Sequence, residues 1–129
     1  MLYDLIIIGG GPAAMSAGIY ASRQKLKTLL LAQSLGGQVT EALQIDNYLG
    51  FESILGLELT QKFISHLKKF DLELKEGERV TAVNQLSDES GFEVITEKNK
   101  YQTKTIIIAS GESPRKLGVP GEEEFIGRG

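Results

Sequence analysis

Two kinds of hydrophobic pattern divide the first half of the chain into strands and helices. Leu5–Ile8 is an uninterrupted apolar run, which predicts a strand buried on both faces, as in the middle of a parallel sheet. Three glycines follow it, and a helix rich in small residues begins at Pro12. Lys27–Ala32 predicts a second such strand. Leu57–Phe70 has apolar residues at helical spacing opposite a charged face, so we predict an amphipathic helix there.

The second half of the chain changes from the parallel-strand pattern to an alternating one and back again. Asp71–Lys75 predicts a short third parallel strand, and Thr105–Ala109 predicts a fourth. Between them, polar and apolar residues alternate in three segments, which predicts an antiparallel meander. These segments are Glu78–Leu86, Gly91–Glu97 and Lys100–Thr103, joined by turns at Ser87–Gly91 and Lys98–Asn99.

Together these patterns predict an α/β fold in which helices cover one face of a parallel sheet and the three-stranded meander covers the other. If Thr105–Ala109 lies beside the first strand, its outer rim exposes unpaired backbone groups next to three isoleucines. The rest of the sequence offers no further strand to cover this edge. Residues 112–129 contain prolines and several glycines, so we expect a linker that leaves the domain.

Composition excludes several classes of function. The 129 residues fit one domain, and a net charge of -3 with scattered Lys and Arg provides no basic surface for nucleic acid. The apolar runs are far shorter than the roughly 20 residues that a membrane span needs, so the expected location is the cytoplasm. Because the chain contains no cysteine, we expect no disulfide, thiolate metal site or redox dithiol. The single histidine, His66, falls on a polar helix face, where a solvated role is favoured over a catalytic one.

The turn after the first strand carries the chemistry. Gly9, Gly11 and Ala14 fit the pattern G-x-G-x-x-G/A, in which the second glycine lets a pyrophosphate approach the backbone and the third position permits close helix packing. Pro12 and Ala13 begin the helix, whose free N–H groups and positive dipole end face an anion. The pattern alone also fits an ordinary strand-to-helix turn, but its position after a strand and before a helix favours dinucleotide binding.

One feature of dinucleotide-binding domains is missing. The second strand should end in an acidic residue that binds ribose hydroxyls, but Ala32 stands there and Gln33 follows. Gln33 is a candidate to donate a hydrogen bond in its place. On turn chemistry alone, Leu35–Val39 and Gln44–Phe51 are connecting loops.

Five short blocks of the sequence stand in the order and spacing of a known family. They are Gly9–Ala14, Gly36–Gln38, Asp46–Phe51, Ile108–Gly111 and Leu117–Glu122. Together they resemble the low-molecular-weight thioredoxin reductases, in the pyridine nucleotide-disulfide oxidoreductase superfamily, over the whole chain. The resemblance implies a Rossmann-like FAD-binding fold. It also replaces the loop interpretation of the second and third blocks with a cofactor-binding one.

The resemblance implies a position for each part of FAD. The first block would carry the pyrophosphate, while the second block and Asn47 would lie against the flavin and its ribityl chain. The backbone near Arg79 and Val80 would meet the adenine, and Ile108–Gly111 would pass close to the dinucleotide. With Gln33 added, the predicted cofactor-binding residues are Gly9, Gly11, Pro12, Ala13, Ala14, Gln33, Gly36, Gly37, Gln38, Asn47, Val80, Ala109, Ser110 and Gly111.

The resemblance further implies that the domain is split. Residues 1–111 would be the N-terminal segment of the FAD-binding domain, and residues 112–129 a linker toward an NADPH-binding domain that carries a Cys-x-x-Cys pair. A later segment would supply the strand that completes the FAD domain. The parent enzyme would pass electrons from NADPH through FAD to the cysteines and thioredoxin, and members of the family are usually homodimers. We therefore expect no catalytic residue in this chain.

Three alternatives remain open at this point. The parent could be a thioredoxin-reductase-like ferredoxin-NADP reductase, which lacks the cysteine pair, or the flavoprotein of a peroxide-reducing system. A third alternative is a non-catalytic module that holds a nucleotide or another chain along its open strand.

Overall fold

The computed structural model describes residues 1–87, 90–113 and 115–127. In chain order the elements are β1 (Leu2–Ile8), α1 (Pro12–Arg23), β2 (Thr28–Ala32), a 3₁₀ helix (Gly37–Glu41), α2 (Gly56–Leu67), β3 (Glu73–Glu76), β4 (Val80–Gln85), β5 (Phe92–Thr96), β6 (Lys100–Ile108) and α3 (Glu122–Phe125). Asp88 and Glu89 of the predicted turn at Ser87–Gly91 lie outside the described residues, as do Pro114, Arg128 and Gly129.

The six strands of the described residues belong to one sheet with the order β3-β2-β1-β6-β5-β4. The four strands from β3 to β6 in this order run parallel, and β5 and β4 extend the sheet in antiparallel pairing. β1 therefore has a parallel neighbour on each side, which is the environment that its continuous apolar run predicts. The predicted α/β fold is confirmed in its strand types and in the position of the first strand.

One predicted strand boundary is wrong, because Lys100–Thr103 and Thr105–Ala109 are not two strands. They form the single strand β6, which pairs antiparallel with β5 through Lys100–Thr103 and parallel with β1 through Gln102–Ile108. At Lys104 and Thr105, where the two predicted segments join, the chain does not turn but is bonded to β1. Lys104 Nζ lies 2.7 Å from an Asp4 carboxylate oxygen, and Thr105 Oγ1 donates to the Asp4 carbonyl over 2.7 Å. The sequence between the two segments also contains no glycine or proline, so nothing favours a chain reversal there.

The core has two parts, one on each face of the sheet. On the first face, Leu5, Ile7 and Leu30 pack with buried residues of both helices, such as Met15 and Leu67. On the second face, the core consists of strand residues that include the meander. They are Tyr3, Ile6, Leu29, Leu31 and Val94, with Ile8, Val80, Val83, Tyr101 and Ile106 packed against them. Helices on one face and the meander on the other are therefore confirmed.

The outer side of β6 is open over its last residues. β5 pairs with β6 only as far as Thr103, and no other described strand adjoins Thr105–Ile108 on that side. Ile108 is 65% exposed. The edge anticipated from the sequence is therefore present in the described part of the chain.

Residues 112–129 are less featureless than the sequence indicated, because they include α3. The Glu122 carboxylate accepts hydrogen bonds from the N–H groups of Leu117 and Gly118, each over 2.7 Å. No α3 residue is buried. Among the described residues, no helix combines the length and the apolar character required to pass through a bilayer.

Candidate functional site

A cavity of about 680 Å³ lies where the carboxyl ends of β1, β2 and β6 meet the start of β4. We call it the cleft. In open parallel sheets, ligands bind at this edge, outside the carboxyl ends of the strands. The cleft residues are Ile8, Gly9, Gly10, Gly11, Pro12, Ala13, Leu31, Gln33, Ser34, Gly37, Gln38, Val39, Glu78, Arg79, Val80, Ala109, Ser110, Gly111, Glu112 and Ser113.

The turn after β1 is packed so closely that side chains are excluded. Gly9 has φ +134°, and a Cβ built there would lie 2.1 Å from the carbonyl oxygen of Ala109. At Gly10 a Cβ would lie 2.0 Å from the carbonyl oxygen of Ser34. These two glycines let the turn pack against the backbone of Ala109 and Ser34. Glycine is therefore required at both positions for close packing.

Gly11 differs from its two neighbours because a Cβ there would not clash. Its nearest neighbour would be the Cα of Gly37, at 3.9 Å, which is ordinary van der Waals contact. Gly37 has φ +63°, and a Cβ on it would lie 3.1 Å from the Cα of Gly11. The backbones of Gly11 and Gly37 therefore touch at the wall of the cleft, and neither carries a side chain. This is a cradle that a side chain at either position would begin to fill.

The start of α1 supplies hydrogen-bond donors to the same cradle. Pro12 occupies the first turn, and within the described residues no side chain caps the helix. Met15 N–H is bonded to the Gly11 carbonyl over 3.0 Å. The N–H groups of Ala13 and Ala14 precede it and have no partner within the helix. With the helix dipole, these donors make the cradle suitable for a phosphate group.

The opposite side of the cleft is formed by Glu78, Arg79 and Val80. Glu78 is only 7% exposed, and its N–H donates to the Ala32 carbonyl at the end of β2 over 3.1 Å. Its carboxylate accepts hydrogen bonds from Thr96, Asn99 and Tyr101, at 2.9 to 3.1 Å. This side of the cleft is therefore attached both to the parallel strands and to the meander.

Burial by itself raises the pKa of the Glu78 carboxyl. The hydrogen bonds from Tyr101, Thr96 and Asn99 oppose burial, as does the charge of Lys75, and the pKa lies below its ordinary value as a result. Burial, reinforced by the hydrogen bond to Glu78, raises the pKa of Tyr101 to about 12. Glu78 is therefore ionised and Tyr101 is neutral at physiological pH.

A second tyrosine and glutamate pair lies below the meander but outside the cleft lining. Tyr3 donates to a Glu73 carboxylate oxygen over 2.9 Å. Burial, followed by the hydrogen bond and charge of Glu73, raises the pKa of Tyr3 to about 12. The rings of Tyr3 and Tyr101 meet edge to face, 6.4 Å apart, so the two pairs form one polar cluster.

Most of the predicted cofactor-binding residues line the cleft. They are Gly9, Gly11, Pro12, Ala13, Gln33, Gly37, Gln38, Val80, Ala109, Ser110 and Gly111. Ala14 is fully buried beneath the helix, and Gly36 lies next to the cleft, where its N–H donates to the Gly10 carbonyl over 2.8 Å. Asn47 does not line the cleft. It lines a separate cavity of about 490 Å³ formed by Asp46–Glu52.

Sequence reasoning missed several cleft residues, among them Ser34, Glu78 and Glu112. Gly10 belongs to the first block of the resemblance, but it was not among the predicted cofactor-binding residues, because the glycine pattern leaves its position unspecified. Glu78 carried no signal, because an acid at the start of an alternating strand is unremarkable on its own. The amide of Gln38 donates to the Glu112 carbonyl over 2.6 Å, a contact between residues far apart in sequence.

His66 is exposed, and its ring lies 5.8 Å from that of Phe70.

Comparison with known proteins gives consistent matches. The profile of the family described as pyridine nucleotide-disulphide oxidoreductase matches residues 3–129. Thioredoxin reductase of Bacillus subtilis is 43% identical over 99% of this chain and 40% of its own length. A subunit of the alkyl hydroperoxide reductase of Staphylococcus aureus is 36% identical over 98% of this chain and 25% of its own length.

A solved structure agrees with these sequence matches. Lactococcus lactis thioredoxin reductase, in its FR conformation, superimposes with a TM-score of 0.87 and 42% identity. The match covers 95% of this chain and 40% of that one. The chain thus spans about 40% of the length of the thioredoxin reductases that it matches.

Proposed function

Because the chain belongs to the pyridine nucleotide-disulphide oxidoreductase family, we propose that it is the FAD-binding part of a thioredoxin-disulfide reductase. The whole enzyme would transfer electrons from NADPH through FAD to a cysteine pair, and from there to thioredoxin. The 43% identity to a thioredoxin reductase over nearly the whole chain supports this choice within the family.

The observation that carries the proposal is the glycine cradle. Gly11 and Gly37 lie in backbone contact at the wall of the cleft without side chains, and α1 begins beside them at Pro12 without a side-chain cap. A pyrophosphate needs both features, because its oxygens require several donors and its approach requires bare backbone. The residues present therefore fit the diphosphate of FAD.

The other cleft residues divide between the two ends of such a dinucleotide. Arg79 and Val80 lie beside the end of β2, which is the ribose side in folds of this class, and Gln33 offers an amide to the ribose hydroxyls. Gln38 lies at the other side of the glycine bend, together with Ser110 and Gly111, and would orient the flavin. Asn47 would join this side only if Asp46–Glu52 moved toward the cleft. When bound, FAD itself supplies the redox chemistry, and the protein positions it.

The organisation of the whole protein is part of the proposal. Residues 1–111 would form the first segment of a split FAD-binding domain, and residues 112–129 would lead toward an NADPH-binding domain with the cysteine pair. The open side of Thr105–Ile108 supports a split domain. So does the exposed position of α3, whose described hydrogen bonds stay local. We also propose a cytoplasmic homodimer that uses NADPH and thioredoxin, without membrane or nucleic-acid partners.

One alternative has its own support. The 36% identity to a subunit of an alkyl hydroperoxide reductase favours, as a second candidate, the flavoprotein of a peroxide-reducing system. The two candidates differ in the electron acceptor. Reduction of thioredoxin by the whole protein with NADPH would favour the first candidate, and reduction of a peroxidase partner in its place would favour the second.

Gel filtration after incubation with FAD tests cofactor binding. We expect the whole protein to elute with flavin absorbance and to reduce thioredoxin with NADPH. The 129-residue chain alone should retain little or no FAD and show no disulfide reductase activity, because it contains no cysteine and its sheet is open at β6. A whole protein that elutes without flavin after saturation with FAD would contradict the proposal.

A further inference from the structure

The side of the cleft formed by Arg79 and Val80 begins directly after a buried carboxylate, that of Glu78. Given the proposed function, we infer that Glu78 is a positioning residue, which holds the Arg79–Val80 backbone in place for the adenosine half of the dinucleotide. Glu78 need not touch the nucleotide for this role. It acts through the two residues that follow it, and we refer to these as the adenosine lip.

The β-ladder does not fix the adenosine lip by itself. The register between β4 and β5 shifts between Val80 and Ala82, and such a bulge disrupts the local pairing and bends the strand. The Arg79 carbonyl accepts the Glu97 N–H over 3.1 Å, but Glu97 lies outside β5. Val80 pairs with Thr96 just before this shift, so the lip stands at the irregular end of the ladder, where Glu78 adds a further attachment.

Glu78 provides that attachment at both of its ends. Its backbone N–H donates to the Ala32 carbonyl, which ties it to the carboxyl end of β2, where the ribose lies in folds of this class. Its side chain extends into the meander. One carboxylate oxygen accepts from Asn99 and the other from Thr96, while the single O–H of Tyr101 is shared between the two oxygens. The residue thus connects the ribose end of the cleft to β5 and β6.

Every partner of the Glu78 carboxylate is a hydrogen-bond donor, and Glu78 forms no salt bridge within the described part of the chain. A buried acceptor with several charge-assisted bonds is held strongly in one orientation. Glu78→Gln keeps the shape but places an amide NH₂ against donors, so part of the network is lost. The substitution therefore loosens the lip without removing a bulky group.

Glu73 provides a control for the loss of a glutamate–tyrosine hydrogen bond outside the cleft. Its carboxylate also accepts a tyrosine O–H, from Tyr3 over 2.9 Å, and it belongs to the same polar cluster. Unlike Glu78, it lies on β3, and it is not among the residues that line the cleft. Because 44% of the Glu73 side chain is exposed, Glu73→Gln should cost less stability than Glu78→Gln, and it should leave the adenosine lip in place.

Two measurements on the whole protein test the inference. The first is amide hydrogen exchange at Arg79 and Val80 without ligand, and the second is titration of the flavin-free protein with ADP as the probe. In Glu78→Gln we expect faster exchange at both amides and about tenfold weaker ADP binding, the size of effect expected from losing one hydrogen bond to a charged group. Glu73→Gln should leave both readouts within about twofold of wild type.

Each result has a distinct meaning. If wild type binds ADP and Glu78→Gln binds it equally well with unchanged exchange at Arg79 and Val80, the positioning role is wrong while the proposed function stands. If wild type binds neither ADP nor FAD, the proposed function is wrong and the inference that rests on it falls too. Should Glu78→Gln not fold, Tyr101→Phe removes a single donor and is expected to give the same changes in weaker form. Unchanged readouts in that variant would overturn the inference.

Discussion

The two sides of the cleft are built in opposite ways. On the side of the first turn, Gly9, Gly10 and Gly11 bring backbone against backbone, and the shape of the cleft comes from missing side chains. On the side of the adenosine lip, the backbone is held by a network of side chains around Glu78. Gly9 and Gly10 leave no room for a Cβ, whereas the second side has room for side chains and depends on hydrogen bonding.

This difference predicts different responses to mutation and to pH. Substitutions in the glycine turn should act through steric overlap and should not depend on pH. Changes near the lip should act through loss of hydrogen bonds and through ionisation, because Glu78 and Tyr101 titrate. Four experiments break or sharpen the contrast, and they are arranged from the largest expected effect to the smallest.

Gly9→Ala should have the largest effect on stability. The new Cβ would lie 2.1 Å from the Ala109 carbonyl oxygen at φ +134°, so β1 and β6 would have to separate. We expect a loss of at least about 2 kcal/mol in the free energy of unfolding, measured by denaturant titration. Gly50→Ala is the control, because Gly50 has φ +100° with open space around it. An equal loss in both variants would mean that backbone strain, and not close packing, governs the turn.

Gly11→Val should abolish nucleotide binding with little change in stability. A Cβ at this position meets only the Gly37 Cα at 3.9 Å, but the branched side chain fills the space that a pyrophosphate needs. Flavin retention by the whole protein and its unfolding curve separate the two effects. Gly11→Ala should give an intermediate loss of affinity. Wild-type FAD binding by the valine variant would contradict the placement of the phosphate.

Alkaline pH should weaken the side of the sheet that carries the lip. In the folded protein, burial and hydrogen bonding to a glutamate raise the pKa of Tyr3 and of Tyr101 from 10.0 to about 12. Between these values the folded state keeps protons that the unfolded chain releases. The stabilisation from the two tyrosines is therefore fully present below pH 10, and it is lost as the pH rises from 10 to about 12. Unfolding measured across this range should show the fall. Tyr3→Phe combined with Tyr101→Phe should reduce it, and an unchanged slope would assign it to other groups.

Gln38→Ala should have the smallest effect. It removes the hydrogen bond from the Gln38 amide to the Glu112 carbonyl, which is 2.6 Å long and exposed to solvent, so the expected cost is about 0.5–1 kcal/mol. Amide exchange and tryptic cleavage near Arg115 and Lys116 should become faster. Gln44→Ala is matched, because among the described residues its amide bonds to Asp46 and Ser53, both in the same surface loop. Equal cleavage rates in the two variants would show that this contact does not hold the stretch that follows Glu112 in place.

Local pattern was sufficient to predict the elements whose surroundings are uniform. The apolar run Leu5–Ile8 identified a central strand, and the glycine pattern identified the turn and the start of α1. The periodicity of Leu57–Phe70 located α2, which the structure bounds at Gly56–Leu67. In each case one physical demand, such as burial on both faces or an amphipathic surface, determines the residue choice over several positions.

Features that depend on distant partners were not predictable in the same way. β6 runs without a break through Lys104 and Thr105, where both residues bond to Asp4 near the other end of the sequence. The role of Glu78 depends on Thr96, Asn99 and Tyr101, which only the folded meander brings to it. The resemblance to a family located most cleft residues, but its position for Asn47 remains a prediction, since that residue lines a separate cavity.

The single strand β6 has a consequence for dissecting the protein into smaller units. Lys100–Thr103 pairs with β5, and Gln102–Ile108 pairs with β1. The antiparallel and parallel parts of the sheet are therefore joined through one continuous strand. A C-terminal truncation that removes β6 would leave β5 without its inner neighbour and one edge of β1 unpaired. The smallest folded unit that could be engineered from this architecture must therefore retain β6, even if the surrounding loops are shortened.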